Sequence, residues 1–369
     1  MRILILNWRD FKNPKSGGAE ILTHEMAKRW TKWGHGVTQI SSGFKNSKNK
    51  ENIDGVTIIR IGHWWSVHLL GFLYYLKNLK SSTDVIIDEV HWFPFFSTLY
   101  APKKTILLAC EVANKLFFEF FPYPLAFIGR GIEKLYLALY KNVPVLAISS
   151  STKKELVAEG FSENKITVLP MGINFPKIFP KFKKEKNPTI IFVGRILKTK
   201  GVEDVIKVCL ELKKEFANIK LWIVGRGEKK YEQKIKKQIR DLNLDNQVDF
   251  FGFVSEEKKF GMMQRAHMLI VPSIKEGYGL TIPEAGIVGT PAVAYNTEGL
   301  RDVLKNGKNG ILVDCNPRIM AEEVKQLLLQ KNLYKNLQEG AESYARQLNW
   351  DKTAKVGLDL FKRLTSPVK

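Results

Sequence analysis

Two glutamates flank a glycine-bearing turn in the segment SIKEGYGLTIPEAGIVGTPAVAY, residues 273–295. Glu276 follows the apolar run HMLIVPS, which is typical of a buried strand, so Glu276 is expected on a loop at the carboxyl end of that strand. There it could accept hydrogen bonds from sugar hydroxyls, and Glu284 could do the same for a ribose. Two other interpretations stay open. Thr281 and Glu284 fit a helix capping box, and a carboxylate pair can act as general acid and base in glycoside hydrolysis.

A pair of cations follows another predicted strand, in the segment IIFVGRILKTKGVEDVIKV. The strand is expected to end at Gly194, with Arg195 directly after it and Lys200 just before Gly201. Ligands of open α/β sheets bind at the carboxyl ends of the strands. An arginine fork and a lysine point charge at that edge could hold a diphosphate. The alternative is that both are solvated loop cations in a lysine-rich chain.

The first predicted strand, RILILN, is followed by a loop that contains Ser16-Gly17-Gly18-Ala19-Glu20. Glycines let a backbone approach a ligand closely, and a helix beginning there would offer unpaired N–H groups to an anion. A tight strand-to-helix turn that merely needs one glycine explains the same pattern. The dinucleotide fingerprint G-x-G-x-x-G is absent from this loop, and G-x-x-x-x-G-K-[ST] is absent from the whole chain.

Short apolar runs alternate with longer helical patterns almost from end to end, which predicts two doubly wound α/β units with parallel sheets. The first half contains RILILN, DVIID, KTILLA, VPVLAIS and KITVLP, and the second contains TIIFVG, KLWIVG, QVDFFG, HMLIVP and PAVAY. The Pro- and Lys-rich segment 174–188 is expected to be either the linker between the units or the first loop of the second unit. The predicted domains are 1–173 and 174–349, with a C-terminal helix, 350–369, that returns to the first domain.

The composition is that of a globular protein of 369 residues with a net charge of +21. A chain of this length favours two domains. Its three cysteines show no metal-ligand spacing or disulfide framework, which fits a reducing compartment. We expect neither a signal peptide nor a membrane-spanning helix, because no apolar run approaches about 20 residues. The positive charge is consistent with a solvated lysine-rich surface, an anionic membrane, nucleic acid or phosphate-bearing ligands.

Three motifs at three predicted strand ends together resemble the retaining glycosyltransferases of family 4. They are Gly17-Gly18-Ala19-Glu20, Gly194-Arg195 with Lys200-Gly201, and the E-x7-E segment from Glu276 to Glu284. The resemblance extends nearly over the whole chain, including GLRDVLKNGKNGILV. It implies the GT-B architecture, in which two Rossmann-like domains face each other across a cleft. It also assigns the nucleotide sugar to the second domain and the acceptor to the first.

The resemblance implies a role for each motif. Arg195 and Lys200 would neutralise the donor diphosphate, Glu276 would contact the donor sugar and Glu284 the ribose. The amides of residues 277–280 would approach the distal phosphate, and the glycine loop of the first domain would approach the diphosphate. The predicted catalytic residues are Arg195, Lys200, Glu276 and Glu111, and the predicted donor-binding residues are Gly17, Gly18, Gly194, Gly277, Tyr278, Gly279, Leu280 and Glu284.

The chain departs from the family where many relatives carry a histidine close to the reacting sugar. Here the segment reads KTILLACEVANK, with Cys110-Glu111 at the corresponding place, and His91 lies one strand earlier. We expect Glu111 or Cys110 to line the pocket, with Cys110 an ordinary buried residue rather than a reactive one. The remaining histidines, His24, His35, His63, His68 and His267, are expected at the surface or in turns.

The resemblance also implies a mechanism without a metal or a further cofactor. Negative charge grows on the leaving phosphate, which takes the acceptor proton, and the anomeric configuration is retained. No D-x-D motif, the usual carboxylate clamp for a metal-bound diphosphate, occurs in the sequence. The donor is expected to be a UDP- or GDP-sugar, and a hexose the transferred group.

The segment 114–144 is dense in Phe, Tyr and Leu and has Lys and Arg at its margins. It is either an amphipathic helix packed in the core or a surface that lies beside lipid headgroups. With the positive charge, it favours a cytoplasmic enzyme, peripheral on the inner face of the membrane, that acts on a lipid-linked or cell-surface glycan acceptor. The alternatives are a nucleotide-sugar epimerase or phosphorylase of the same shape, and a basic nucleic-acid-binding protein. No nucleic-acid-binding signature supports the last.

Overall fold

The computed structural model describes residues 1–90, 92–114, 116–175 and 182–366. The chain divides into two compact units. Unit 1 comprises residues 1–172 and 349–369, and unit 2 comprises residues 173–348. Part of the predicted linker, residues 176–181, lies outside the described residues, as does His91.

Unit 1 is built on an eight-stranded sheet with helices between the strands. Its elements are β1 (Arg2–Leu6), α1 (Gly18–Lys32), β2 (Gly36–Ser41), β3 (Lys50–Ile53), β4 (Val56–Arg60), α2 (Val67–Tyr74), β5 (Val85–Val90), α3 (Ser97–Tyr100), β6 (Thr105–Ala109), α4 (Leu116–Phe120), α5 (Tyr123–Ala138), β7 (Val145–Ala147), α6 (Ser150–Ala158) and β8 (Ile166–Val168).

The strand order in unit 1 is β3-β4-β2-β1-β5-β6-β7-β8, and every pairing is parallel except the one between β3 and β4. The central strands β1, β5 and β6 are buried on both faces, apart from Arg2 at one end, which explains their unbroken apolar runs. Their carboxyl ends lie side by side, so the residues that follow β1 and β6 are neighbours of the end of β5.

Unit 2 repeats the plan with a six-stranded, wholly parallel sheet. Its elements are β9 (Thr189–Val193), α7 (Val202–Lys213), β10 (Lys220–Val224), α8 (Lys229–Asp241), β11 (Val248–Gly252), α9 (Glu256–Arg265), β12 (Met268–Val271), α10 (Thr281–Ile287), β13 (Ala292–Tyr295), α11 (Leu300–Val303), β14 (Gly310–Val313), α12 (Pro317–Leu329) and α13 (Lys331–Gln347). The strand order β11-β10-β9-β12-β13-β14 makes β9 and β12 neighbours.

The last helix, α14 (Trp350–Thr365), packs on α1 of unit 1. The indole of Trp30 donates a hydrogen bond to the carbonyl of Ala354 at 2.8 Å and meets the Phe361 ring edge-on at 4.9 Å. An added Cβ at Gly357 would lie 3.0 Å from the Trp30 ring, so a small residue suits this crossing. Apolar burial of Trp30 and Phe361 fixes this helix against unit 1.

The predicted fold class, two doubly wound units with parallel-dominated sheets, is confirmed. All ten strands expected from apolar runs are present. Four strands were not anticipated: β2, β3, β4 and β14. β3, with the sequence KENI, is mostly exposed and shows no continuous apolar run, whereas β14, with the sequence GILV, is a short apolar run that was not recognised as a strand.

Candidate functional site

The turns that follow β9 and β12 lie against each other because these strands are neighbours in the sheet. The amide of Ile274 donates a hydrogen bond to the carbonyl of Thr199 at 3.0 Å. Gly201 has φ +70°, and a Cβ added there would lie 2.1 Å from the carbonyl oxygen of Pro272. The absence of a side chain at Gly201 therefore lets the Lys200 turn approach the end of β12 closely.

This approach joins two of the predicted site residues. Lys200 Nζ lies 2.6 Å from Glu276 Oε1, and both side chains are mostly buried. Ser273 Oγ donates a second hydrogen bond to the same Glu276 oxygen at 3.0 Å. The predicted diphosphate cation and the predicted sugar-binding carboxylate therefore neutralise each other in the structure.

Gly194 and Arg195 lie at the same edge, directly after β9. The amide of Gly194 donates to the carbonyl of Val224 at 3.0 Å, and a Cβ added at Gly225 would lie 1.7 Å from the Gly194 carbonyl oxygen. The two backbones are thus in close contact at Gly194. Arg195 is exposed and makes no ion pair with any residue that the structure describes. Its guanidinium is available to an anion at this edge.

The turn 277–280 packs against the interior of unit 2 through the contacts of Tyr278 and Gly279. Tyr278 is buried, and its hydroxyl shares a 2.9 Å hydrogen bond with the hydroxyl of Tyr344 on α13. Gly279 has φ +83°, and a Cβ there would come within 2.8 Å of the Leu300 side chain. Because Tyr278 is directed into the protein and Leu280 immediately precedes α10, the backbone of this turn is the part suited to contact a phosphate.

Glu284 does not form the capping box that the sequence allows. Leu280 occupies the N-cap of α10, and no side chain caps the helix. Instead, Glu284 Oε2 lies 3.0 Å from Nζ of Lys259 on α9. Burial raises the pKa of Glu284, and the neighbouring Lys259 ammonium lowers it. Lys259 was not predicted as a site residue, since nothing in the run EEKKFGMM distinguishes it from Lys258.

In the glycine loop of unit 1, one backbone amide that was expected to be unpaired makes a hydrogen bond. Gly17 is the N-cap of α1 and Gly18 its first residue. The Gly17 amide, expected to be unpaired, donates to Glu20 Oε2 at 2.7 Å. Glu20 Oε1 lies 2.9 Å from Nε of Arg9. The Glu20 carboxylate therefore already accepts the hydrogen bond of the first amide at the start of α1.

Cys110 and Glu111 follow β6 at the carboxyl edge of the same sheet. Cys110 is buried, and its Sγ lies 3.7 Å from Oε1 of Glu89 on β5. Burial is the main cause that raises the pKa of the Cys110 thiol, in agreement with the expectation of an unreactive residue. Glu111 is half-buried. Glu89 was not singled out from the sequence, although its signal is visible: two acids, Asp88 and Glu89, stand inside the otherwise apolar run VIIDEV.

Two histidines differ from the expected surface or turn positions. His68 lies half-buried within α2, with its ring 4.5 Å from that of Phe95. His24 is buried in α1, with its ring stacked on Phe11 at 3.7 Å and its Nε2 2.9 Å from Asp54 Oδ2. Burial lowers the pKa of His24 more than Asp54 raises it. Residues 23–27 of α1 are all buried, so this part of the helix has no exposed face on which His24 could lie.

A wide apolar surface lies on unit 1. Helix α5 buries Tyr136 and Leu137 but exposes large side chains, among them Leu135 at 73%. Phe93 connects this helix to α2, because its ring is 5.7 Å from that of Tyr136 and 5.9 Å from that of His68. The exposed apolar residues of the two helices and the loop before α2 are Trp64, Trp65, Leu69, Leu73, Tyr123, Leu125, Phe127, Ile128, Ile132 and Leu135. Many exposed apolar side chains on one unit are typical of an interaction surface.

Within residues 1–90, 92–114, 116–175 and 182–366, no group of three His, Cys, Asp or Glu side chains is arranged to hold a metal ion. Over the same residues, no helix combines the length and the hydropathy needed to cross a bilayer.

The fold of the two units is that of the GT-B class. Sucrose-phosphate synthase from Thermosynechococcus elongatus superposes with a TM-score of 0.82 over 98% of each chain, at 17% identity. HepE of Anabaena, in a crystal structure with UDP and glucose, superposes with a TM-score of 0.77 over 98% of this chain and 100% of its own, also at 17% identity.

Sequence families identify the chain more closely. Residues 16–175 match the family described as Glycosyltransferase Family 4, and residues 174–344 match Glycosyl transferases group 1. The chain therefore belongs to the family 4, group 1 glycosyltransferases. An uncharacterized glycosyltransferase of Methanocaldococcus jannaschii is 25% identical over 98% of both chains. A D-inositol 3-phosphate glycosyltransferase of Paenarthrobacter aurescens is 26% identical over 60% of this chain and 58% of its own. None of these matches supports the epimerase, phosphorylase or nucleic-acid-binding alternatives.

Proposed function

We propose that this chain is a retaining glycosyltransferase that moves a hexose from a nucleoside-diphosphate sugar to a lipid-linked or cell-surface glycan acceptor. The observation that carries the proposal is the 2.6 Å contact between Lys200 and Glu276, at the sheet edge where the exposed Arg195 follows β9. A cation pair and a carboxylate at adjacent strand ends match the two needs of such a donor, a diphosphate and a sugar with hydroxyls.

In the proposed reaction, Arg195 and Lys200 bind the diphosphate, and the amides of residues 277–280 bind its distal phosphate. Their fixed positive charge stabilises the negative charge that develops on the leaving phosphate. Loss of one such donor typically costs about 3 kcal/mol of barrier, or at least roughly a hundredfold in rate. The leaving phosphate takes the proton of the acceptor hydroxyl, so the step needs neither a separate general base nor a metal ion.

Donor binding requires Lys200 to exchange part of its contact with Glu276 for a phosphate oxygen, which releases Glu276 to accept hydrogen bonds from sugar hydroxyls. Glu284, held by Lys259, accepts those of the ribose. In unit 1, Gly17 and Gly18 approach the diphosphate, and Glu111 lines the sugar pocket. UDP-sugars are the first donors to test, because HepE, a neighbour in fold, was crystallised with UDP and with UDP-glucose.

A thermal-shift panel of UDP-, GDP- and ADP-sugars tests the donor site. At about 100 times its dissociation constant a ligand adds about 2.7 kcal/mol of stability, which corresponds to a rise of roughly 5–10 °C for a unit of this size. Arg195→Ala, Lys200→Ala and Glu284→Ala should each abolish the rise. Lys237→Ala, an exposed lysine on α8, is the matched control and should keep it. Retention of both the rise and the activity by all three site variants would refute the assignment.

We propose further that the apolar surface of α2 and α5 rests on an anionic membrane at its cytoplasmic face, where a lipid-linked acceptor is found. The exposed apolar side chains supply the inserted area, and the net charge of +21 supplies the attraction to anionic lipid. Three free cysteines fit the reducing compartment.

Sedimentation with vesicles of anionic and of zwitterionic phospholipid tests the membrane proposal. Binding should require the anionic lipid and weaken as salt rises. The double variant Phe127→Ser, Leu135→Ser should bind less. Phe253→Ser removes an equally exposed ring from unit 2, at 68% exposure, and should bind as the wild type does. Equal binding to both lipids at all salt concentrations would contradict the proposal.

A further inference from the structure

Glu89, near the carboxyl end of β5, is a buried carboxyl group that the proposed reaction does not use. Only 1% of its surface is exposed. Its Oε2 accepts hydrogen bonds from Asn7 Nδ2 and from Thr23 Oγ1, each at 2.6 Å. Its Oε1 lies 3.7 Å from the thiol of Cys110. The ends of β1, β5 and β6 and the first turns of α1 therefore meet at this one side chain.

Asn7 and Thr23 donate to Oε2, and the thiol of Cys110 points its donor toward Oε1. These three contacts hold the side chain in place, whereas its almost complete burial opposes ionisation. The groups that face Glu89 are Asn7 from β1, Thr23 and Glu20 from α1, Cys110 from β6 and Arg9 from the loop, with Arg9 already paired to Glu20. Burial, reinforced by the charge of Glu20, raises the pKa of Glu89 to about 8.

A chain of contacts leads from Glu89 to the glycine loop. Asn7, held by Glu89, accepts a hydrogen bond from the Arg9 amide at 3.1 Å. The Arg9 guanidinium donates to the carbonyl of Lys15 at 2.9 Å and pairs with Glu20. Glu20 in turn receives the Gly17 amide at 2.7 Å. Each residue fixes the next, from the sheet to the start of α1.

We propose that Glu89 is a positioning residue: as a neutral carboxyl group, it holds the loop 7–17 and the start of α1 in the arrangement that receives the donor diphosphate. The effect on the donor rests on the function proposed above, whereas the effect on the loop does not. Ionisation of Glu89 would put a second carboxylate charge beside Glu20 under the loop. The added negative charge would lower the affinity of the loop for any anion.

Glu89→Gln is the decisive variant, because its amide oxygen can replace Oε2 and cannot ionise. The wild-type KM for the donor should rise above pH 8, by about tenfold at pH 9 if only the neutral form binds. Glu89→Gln should keep the wild-type KM at pH 7 and lose this alkaline rise. Glu89→Ala should raise KM at every pH, with a smaller change in kcat. Alkaline rises that are equal in the wild type and in Glu89→Gln would overturn the proposal.

Hydrogen exchange of the full-length protein tests the loop without any donor. After correction for intrinsic rates, peptides from residues 7–20 should exchange faster at pH 9 than at pH 7 in the wild type, and equally at both in Glu89→Gln. The same pH effect in both proteins would overturn the positioning role. If the exchange result holds but no nucleotide sugar binds, the fault lies with the proposed function. In that case the donor part of this proposal falls, and the role of Glu89 in holding the loop stands.

Discussion

Replacement of Lys259 by methionine should destabilise unit 2 in a pH-dependent way. The side chains of Lys259 and Glu284 are only 13% and 14% exposed, and their charged atoms lie 3.0 Å apart. Methionine keeps the length of the side chain but leaves Glu284 without its cation. Removal of one partner of a buried ion pair typically costs 3–5 kcal/mol. The residual exposure of this pair favours the lower end, about 3 kcal/mol at pH 8.

The pH dependence follows from the direction of the pKa shift of Glu284. Burial raises that pKa, and the loss of Lys259 removes the main influence that opposes the rise. A carboxyl group whose pKa is raised in the folded state costs stability above its unfolded pKa of about 4.3. The penalty in Lys259→Met should therefore be largest at pH 7–8 and shrink as the pH falls toward 5.

Urea unfolding at pH 8 and pH 5.5 gives the measurement. Trp222 is the single tryptophan of residues 173–348, so a 19F label on tryptophan supplies one signal for unit 2. Lys258→Met, an exposed neighbour on the same helix, should change stability by less than about 0.5 kcal/mol. The double variant Lys259→Met, Glu284→Gln should recover much of the loss, because no uncompensated charge remains. Equal midpoints for Lys259→Met and the wild type at pH 8, or no recovery in the double variant, would refute the reasoning.

Two further substitutions probe the backbone and the sheet edge. Gly201→Ala should lower the melting temperature and weaken the donor-induced shift, because its Cβ would meet the Pro272 carbonyl at 2.1 Å. Gly289→Ala, also at positive φ but with open space around it, should cost only about 1 kcal/mol by comparison. Arg60→Met should destabilise unit 1 by about 3–5 kcal/mol in urea unfolding, since it leaves the buried Asp10 carboxylate without its cation. Recovery in the double variant with Asp10→Asn would support that cause, and a single variant as stable as the wild type would contradict it.

The local order of elements was readable from the sequence because central parallel strands are buried on both faces. Such strands appear as continuous Val, Ile and Leu runs wherever they occur, as in RILILN and TIIFVG. Strands with a weaker requirement for burial on both faces, such as β3, leave no comparable pattern and were missed. The glycines at 201 and 279 also signalled turns, since positive φ values favour glycine at both.

The ion pairs at the site could not be predicted in the same way. Lys200 and Glu276 are far apart in the sequence, and they meet because β9 and β12 are adjacent in the sheet. Lys259 reaches Glu284 only through the packing of α9 beside α10, and nothing local separates it from Lys258. The sequence nominated Glu284 as a candidate but gave it the wrong local partner.

The sequence by itself determined the family, the doubly wound fold and the strand ends at which the polar residues stand. Hydrophobic periodicity, glycine positions and the residues of each motif can be recognised within short segments of the sequence. The tertiary structure alone decided which charges pair, and that Glu89 is buried, which raises the pKa of its carboxyl group. The physical reason is that pairing and desolvation depend on distance and burial in three dimensions, which segments remote in sequence create together.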